Sequence, residues 1–544
     1  MTLIASKRNT LILLVLALLA SVFFTSYSLD LSRKIGRLST VPNYDDVTYF
    51  TKASEIYFKF KESGSASGLK LLATKNLHAP FTSLNALAGF AVFGFDLDRV
   101  YYSQIVVLLA YLFFVGWFSR KLNLVFRASL LIASLALPFA SLCVMVFRPD
   151  QMSGVVVGGL AVAILTSEDL FEKRWSGLIV GSVLGLALLV KSTTFALILL
   201  VVGGAWFLAA MRMLILKKCT VGAAVLNALL ILASTMLVSG WYLSQHYREL
   251  WAYFIDNSFG INKDVWKLPG GIYEHLSYYF HGDTLQSSLG LFATPIVCLF
   301  VGGSLYDLLL SRRFDRKLLG AEFLWMLGCI SVVYFLQGIK NQYMGGVLYM
   351  FLLYGALFYL ESLLLKFESI RFGKPMLGYC VAVLLVGFSW CLHRFPETER
   401  ANGVWAANSK SMTLGVTGDL SKQIGSKPVP VLFTQGMPII PEDVIMALKA
   451  QSKELVYGSA ALTAHLTDVI ATLPRYEYVV LQDRGVEGRP GFPMPPEEWE
   501  EDLKCYLDKQ PEWTLVGAYP SLEGKKGYLY GRTSSLKSKA TGNP

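Results

Sequence analysis

The 544-residue chain is 54% hydrophobic and only 16% charged, with a mean hydropathy of +0.47. A soluble globular protein carries about a quarter charged residues, so an ordinary cytosolic enzyme is excluded, and the length accommodates a membrane domain with a modest soluble domain besides. The formal charge of +10 falls in short basic runs between apolar segments, the pattern by which membrane proteins orient themselves, so no nucleic-acid partner is expected.

Lys7 and Arg8 precede an apolar run of spanning length, Leu11 to Leu29. Ser26 and Ser28 form a weak small-x-small site, but with many spans to follow, an uncleaved first helix is the better reading. Further apolar runs fall near 100–118, 128–147, 151–166, 174–190, 192–211, 221–243, 286–308, 322–338, 343–362 and 376–393. The expected fold class is therefore a polytopic α-helical membrane protein of about eleven spans. With the N-terminus inside, the inner loops hold runs such as Arg120, Lys121, Arg127 and Arg312, Arg313, Arg316, Lys317, and the outer connections hold far fewer bases. This favours a cytoplasmic N-terminus and an extracytoplasmic C-terminus, although Arg33, Lys34 and Arg37 beyond the first span run against it.

Three segments are then extracytoplasmic: a first loop over about 30–80, a second over about 244–285, and the tail. The domains are expected at 1–393 for the membrane part and 394–535 for a small α/β domain, with a disordered tail at 536–544. In the α/β domain, strands are predicted at Val429–Thr434, Tyr476–Leu481, Trp513–Ala518 and Gly527–Tyr530, and helices at Glu442–Ala450 and Glu497–Asp508. The acidic run Glu497 to Asp502 reads as a solvated helix face. The seven cysteines form no CxxC pair, and no zinc site or disulfide framework is legible.

The first outer loop carries the sharpest chemical signal. Asn43-Tyr44-Asp45-Asp46 opens an amphipathic pattern in which Tyr49, Phe50, Ala53, Ile56, Tyr57 and Phe60 recur at helical spacing, suited to the membrane interface. Asp45 or Asp46 can cap such a helix, and since adjacent helical residues point apart, one of them is free to aim into a cavity. His78-Ala79-Pro80 precedes a second apolar helix with Pro80 in its first turn. Arg148-Pro149-Asp150 forms a tight turn between spans, Lys191 interrupts one apolar run, and Lys340 to Tyr343 interrupts another. Charges at span ends can simply snorkel to the interface, but their shared outer location with Asp45 suggests a polar cavity. The second outer loop is rich in Tyr and Trp, with His246, His275 and His281; it reads as membrane anchors or as a mobile cover stacking on sugar or lipid.

The ordered set resembles the GT-C membrane glycosyltransferases that use polyprenyl-phosphate sugars. It comprises Asp45-Asp46-x-x-Tyr49, His78-x-Pro80, Arg148–Asp150, Gly185 to Lys191, Trp241-Tyr242 and Lys340-x-x-Tyr343. The nearest-looking branches are the protein O-mannosyltransferases and the bacterial lipid A aminoarabinose transferases. The chain departs from them in having Asp46 where Glu is common, and Ala79 in place of the first of two prolines. The resemblance implies an inverting transfer of a sugar from a polyprenyl-phosphate donor to an acceptor hydroxyl on a lipid, glycan or protein. The donor's phosphate is itself a good leaving group, so one carboxylate must take the acceptor's proton and cations must stabilise the departing phosphate. Asp45 is expected as the base with Asp46 as its orienting neighbour. Lys191 and Lys340, then Arg148 and His78, are expected at the donor phosphate, and Tyr49, Asp150, Tyr343 and Trp241 along the cavity. No cofactor is required; the resemblance allows a divalent metal, for which no ligand cluster is visible. A bacterial inner membrane, with the C-terminal domain in the periplasm, is the expected location. The competing reading is a transporter or lipid-carrier flippase, which would carry internal repeats and broken midplane helices, neither of them evident; a third is an inactive scaffold.

Overall fold

The computed structural model describes residues 2–39, 45–75, 80–167, 169–258, 271–280, 282–337, 340, 342–368, 411–424, 428–434, 453–460, 465–483, 499–520 and 526–540, with isolated positions at 378–400 and 444–451. Two compact units emerge: residues 1–28 with 52–395, and residues 29–51 with 396–544.

The first sixteen helices are α1 (Thr2–Ile35), α2 (Asp45–Ser63), α3 (Ser65–Lys75), α4 (Pro80–Phe93), α5 (Ile105–Phe118), α6 (Leu124–Ser134), α7 (Pro138–Met145), α8 (Pro149–Thr166), α9 (Arg174–Val190), α10 (Phe195–Ile215), α11 (Val221–Ser258), α12 (Ile272–Ser277), α13 (Gly282–Leu289), α14 (Ala293–Leu310), α15 (Phe314–Leu336) and α16 (Gly346–Glu368). Among the described residues, eight helical segments are long and apolar enough to cross a membrane, or nine if α6 and α7 form one bent span. The sequence count of eleven differs for identifiable reasons. The run at 128–147 is two helices meeting at 63°, because Pro138 lacks an N–H and its ring clashes with the carbonyl four residues back. Helix α9 is 17 residues long, at the short limit of spanning length, and the run at 376–393 lies almost wholly outside the described residues.

Helices α8 and α16 are the most enclosed of the candidate spans, with 78% of each buried. The two pack along a contact that only glycine permits, since a Cβ on Gly154 would lie 2.7 Å from the backbone carbonyl carbon of Gly346. At one end of the bundle Arg212 of α10 meets Glu322 of α15 at 3.0 Å, with both side chains over nine-tenths buried, and donates to the Leu165 carbonyl of α8 at 2.6 Å. The start of α8, the junction of α9 with α10, the end of α15 and the start of α16 lie at the other end.

Helices α9 and α11 form the closest seam. A side chain on Gly181 would collide with the Ile231 carbonyl and Ser234 Oγ, and Thr235 Oγ1 donates to the Gly181 carbonyl at 3.0 Å. Gly181→Ala is expected to lower stability by about 1–3 kcal/mol, because a backbone carbonyl must move to admit the methyl group; an unchanged melting curve in detergent would contradict the seam.

In the second unit, a five-stranded mixed sheet runs β2-β1-β3-β5-β4, with β1 (Val429–Phe433), β2 (Leu455–Ser459), β3 (Tyr478–Gln482), β4 (Trp513–Pro520) and β5 (Lys526–Arg532). Strand β1 lies parallel to β2 and β3, and β5 is antiparallel to β3 and β4. Alternate side chains divide between two apolar layers: Val431, Phe433, Tyr478 and Val480 join Met412, Val416 and Leu420 of a helix at 411–423 (α17). On the opposite face, Leu432, Val479 and Leu481 pack with Val469 of α18 (Leu466–Thr472) and with Leu503 and Leu507 of α19 (Glu500–Lys509). Edge strand β2, with Val456 and Tyr457 exposed, and α18 have no counterpart in the predicted elements. Thr533–Ala540 form α20, which takes in residues 536–540 of the tail expected to be disordered; the predicted helix over 442–450 is described at only a few positions.

Candidate functional site

Helix α9 ends where Lys191 leaves the helical backbone (φ −143°, ψ 74°), and a short 3-10 turn, Ser192–Thr194, leads into α10. Three consecutive hydroxyl residues favour such a break by offering the backbone alternative hydrogen bonds. It turns Lys191 inward, where its ammonium pairs with the carboxylate of Asp150 in the first turn of α8. Pro149 and Asp150 are suited to that turn, the one by its fixed φ, the other by its charge at the positive end of the helix dipole. Both side chains are almost covered, at 12% and 11% exposure.

The pair opens on a pocket of about 290 Å³ lined also by Ser153, Thr194, Leu197, Tyr334, Gln337, Met344 and Val347. It combines one cation, one anion and several neutral hydrogen-bonding groups. Tyr334 donates its hydroxyl to the Met344 carbonyl at 2.5 Å, closing the α15–α16 connection on itself. Lys340 lies in that connection, 4% exposed. Its ammonium donates to the carbonyls of Tyr334 and Phe335 and lies 5.5 Å from the centre of the Tyr279 ring. Among the described residues no carboxylate pairs with it, and burial pushes its pKa down to about 8. The Tyr279 ring in turn lies 4.8 Å from that of Tyr334.

The structure thus brings Lys191 and Asp150 into one pocket and places Lys340 against Tyr334 on its wall. Arg148 sits half-buried immediately before α8. Trp241, expected along the cavity, is 41% exposed and donates its indole N–H to Val238 of its own helix; the inward side chain is its neighbour Tyr242, because adjacent helical positions diverge by about 100°. Tyr334, Gln337 and Tyr279 are absent from the sequence-derived set. A Tyr and a Gln three apart at the end of an apolar span were the available signal for the first two; nothing in the sequence singles out Tyr279 from its aromatic neighbours.

In the second unit Asp46 is fully buried and accepts a hydrogen bond from Arg37 at 2.8 Å. Tyr49, one turn further along α2, is buried as well. Asp45 is the first residue of α2, but its side chain, with those of His78 and Tyr343, lies outside the described residues. Among the described residues no three His, Cys, Asp or Glu side chains converge to hold a metal, so no chemical step is assigned to one.

No protein-family model and no curated protein sequence matches the chain. Its structure does match two crystal structures of ArnT from Cupriavidus metallidurans. The one bound to undecaprenyl phosphate gives a TM-score of 0.57 at 12% identity, covering 94% of this chain and 98% of that one. The apo form gives 0.58 at the same identity and coverage. At this identity the likeness is one of backbone architecture, and the chain has an ArnT-like fold: a polytopic helical membrane domain combined with a small sheet domain.

Proposed function

We propose that the chain is an integral membrane glycosyltransferase that moves a sugar from a polyprenyl-phosphate donor to an acceptor hydroxyl. The observation that carries this reading is the largely covered Lys191–Asp150 pair opening on a polar pocket, in a fold shared with a protein whose crystal contains undecaprenyl phosphate. The proposed setting is a bacterial inner membrane, with the reaction and the C-terminal domain on the periplasmic side.

In the proposed reaction the acceptor oxygen attacks the anomeric carbon as the bond from that carbon to the phosphate oxygen breaks, giving inversion. Asp45 takes the acceptor's proton, and Asp46, braced by Arg37, fixes the start of the helix that carries it. Charge that grows on the departing phosphate is met by Lys191 and Lys340, the kind of interaction that gains most in the transition state, with Arg148 and His78 as further cations. Asp150 restrains Lys191, as an ion-pair partner that a phosphate could displace.

The test is release of polyprenyl phosphate by the purified protein from a panel of polyprenyl-phosphate sugars, with an envelope extract supplying acceptors. Sugar-dependent release is expected. No release with any donor, together with movement of labelled carrier lipid across proteoliposomes, would replace the transferase reading with the flippase.

Lys340 makes that activity pH-dependent. The donor phosphodiester stays anionic over the whole range, so the lysine is what titrates. The ratio kcat/KM is expected to fall as pH rises through about 8, the free-enzyme value for this group. Lys340→Arg, which keeps its charge, should remove that limb. The sign for stability is opposite: with the folded pKa below the ordinary 10.5, the unfolded chain holds more protons between about 8 and 10.5, so this group's contribution to stability rises across that window. Activity lost with unchanged or higher melting temperature identifies titration rather than unfolding.

A further inference from the structure

The site described above leaves one buried group unexplained. Tyr242 on α11 is fully buried and donates its phenolic hydroxyl to Ser192 Oγ at 3.0 Å. Ser192 is itself fully buried and directly follows Lys191 at the break between α9 and α10. A helix break is a compliant point, because the turn of backbone between two helices lacks the regular i to i−4 bonds that stiffen each side. Left alone, it would let the Lys191 stem move.

The surroundings fix the phenol. Its ring lies 4.7 Å from that of His246 one turn on, and His246, 4% exposed, has Nδ1 2.9 Å from the Glu249 carboxylate. Below the tyrosine, α11 is locked against α9 by the seam at Gly181 and Thr235. The tyrosine therefore stands on a helix packed closely against the one ending in Lys191.

We propose that Tyr242 is a positioning residue for Lys191: its hydroxyl bond to Ser192 pins the α9–α10 break and so holds the lysine ammonium at the pocket beside Asp150. This rests on the reading of that pocket as the donor phosphate site. The consequence is a chain of restraint, Tyr242 to Ser192 to Lys191 to Asp150, whose first member touches no substrate. Removing the hydroxyl should weaken phosphate binding only through the lysine.

The experiment measures binding of undecaprenyl phosphate to the full-length protein in detergent, with a melting curve for each form, across wild type, Lys191→Gln, Tyr242→Phe and the double variant. Lys191→Gln should weaken binding by roughly tenfold or more, and Tyr242→Phe by roughly two- to tenfold, the range for a charge-assisted and a neutral hydrogen bond respectively. In the Lys191→Gln background, Tyr242→Phe should have no further effect on binding, while its small effect on melting temperature persists. A merely structural tyrosine would instead lower binding by the same factor in both backgrounds, and that result, or no effect in either, overturns the proposal. If Lys191→Gln itself leaves binding unchanged, the failure lies with the phosphate-site reading and not with the tyrosine alone. Ser192→Ala deletes the same bond from its other end and must reproduce the pattern, which keeps the test decisive if Tyr242→Phe folds poorly.

Discussion

Asp45→Asn is expected to reduce sugar transfer by about 10²–10⁴-fold, the usual loss when a general base is removed, with little change in melting temperature. Asp45 is the first residue of α2, where losing the charge forfeits only about 0.3–1 kcal/mol of helix-dipole attraction, so the fold should tolerate the change. Asp46→Asn supplies the contrast. That carboxylate is fully buried and accepts the Arg37 guanidinium at 2.8 Å, so its neutralisation should lower stability by about 1.5–3 kcal/mol, the value of a hydrogen bond to a charged group, in addition to any loss of turnover. Turnover and thermal melting of both variants separate the roles. Retained activity in Asp45→Asn would remove it as the base; loss confined to Asp46→Asn would move the catalytic assignment one residue along the helix.

The second large effect is expected at Lys191. Lys191→Ala leaves the Asp150 carboxylate, only 11% exposed, without its counterion, and breaking a buried pair from one side costs about 3–5 kcal/mol. The same change should weaken donor binding by roughly tenfold or more. Adding Asp150→Asn removes the uncompensated charge, so the double variant should regain much of the lost stability while activity stays low. Thermal denaturation in detergent and donor titration report the two quantities independently. A double variant as unstable as Lys191→Ala would show that the two side chains do not act as a pair, and recovery of activity along with stability would show that the lysine serves the fold alone.

The spans were legible in the sequence wherever an apolar run met the length needed to cross a bilayer. They blurred where one residue governed local geometry, as at Pro138, or where a run sat at the short limit, as in α9. In the soluble domain, strands buried along almost their whole length, such as β1 and β3, stood out as continuous apolar runs. Strand β2 did not, since an edge strand with few buried side chains carries little pattern. The candidate site residues followed the same division. A charge in an apolar run stands out because its desolvation is costly without a partner, so Lys191, Asp150 and Lys340 were visible individually. Trp241 and Tyr242 are not distinguishable in the sequence because α11 is apolar on most of its circumference, and an all-round apolar helix hides which face turns inward.

From composition, apolar run length and isolated charges, the sequence by itself determined a polytopic helical membrane protein with a small α/β domain, and most of the residues of chemical interest. Only the tertiary structure decided which of them meet. Lys191 and Asp150 are 41 residues apart; they pair because the α9–α10 break turns the lysine toward the first turn of α8. Tyr279 reaches Lys340 from a different connection between helices. Hydropathy is a sum over neighbours in sequence, whereas a pocket is set by helix rotation and close approach between segments far apart in the chain, and those depend on packing that no local window contains.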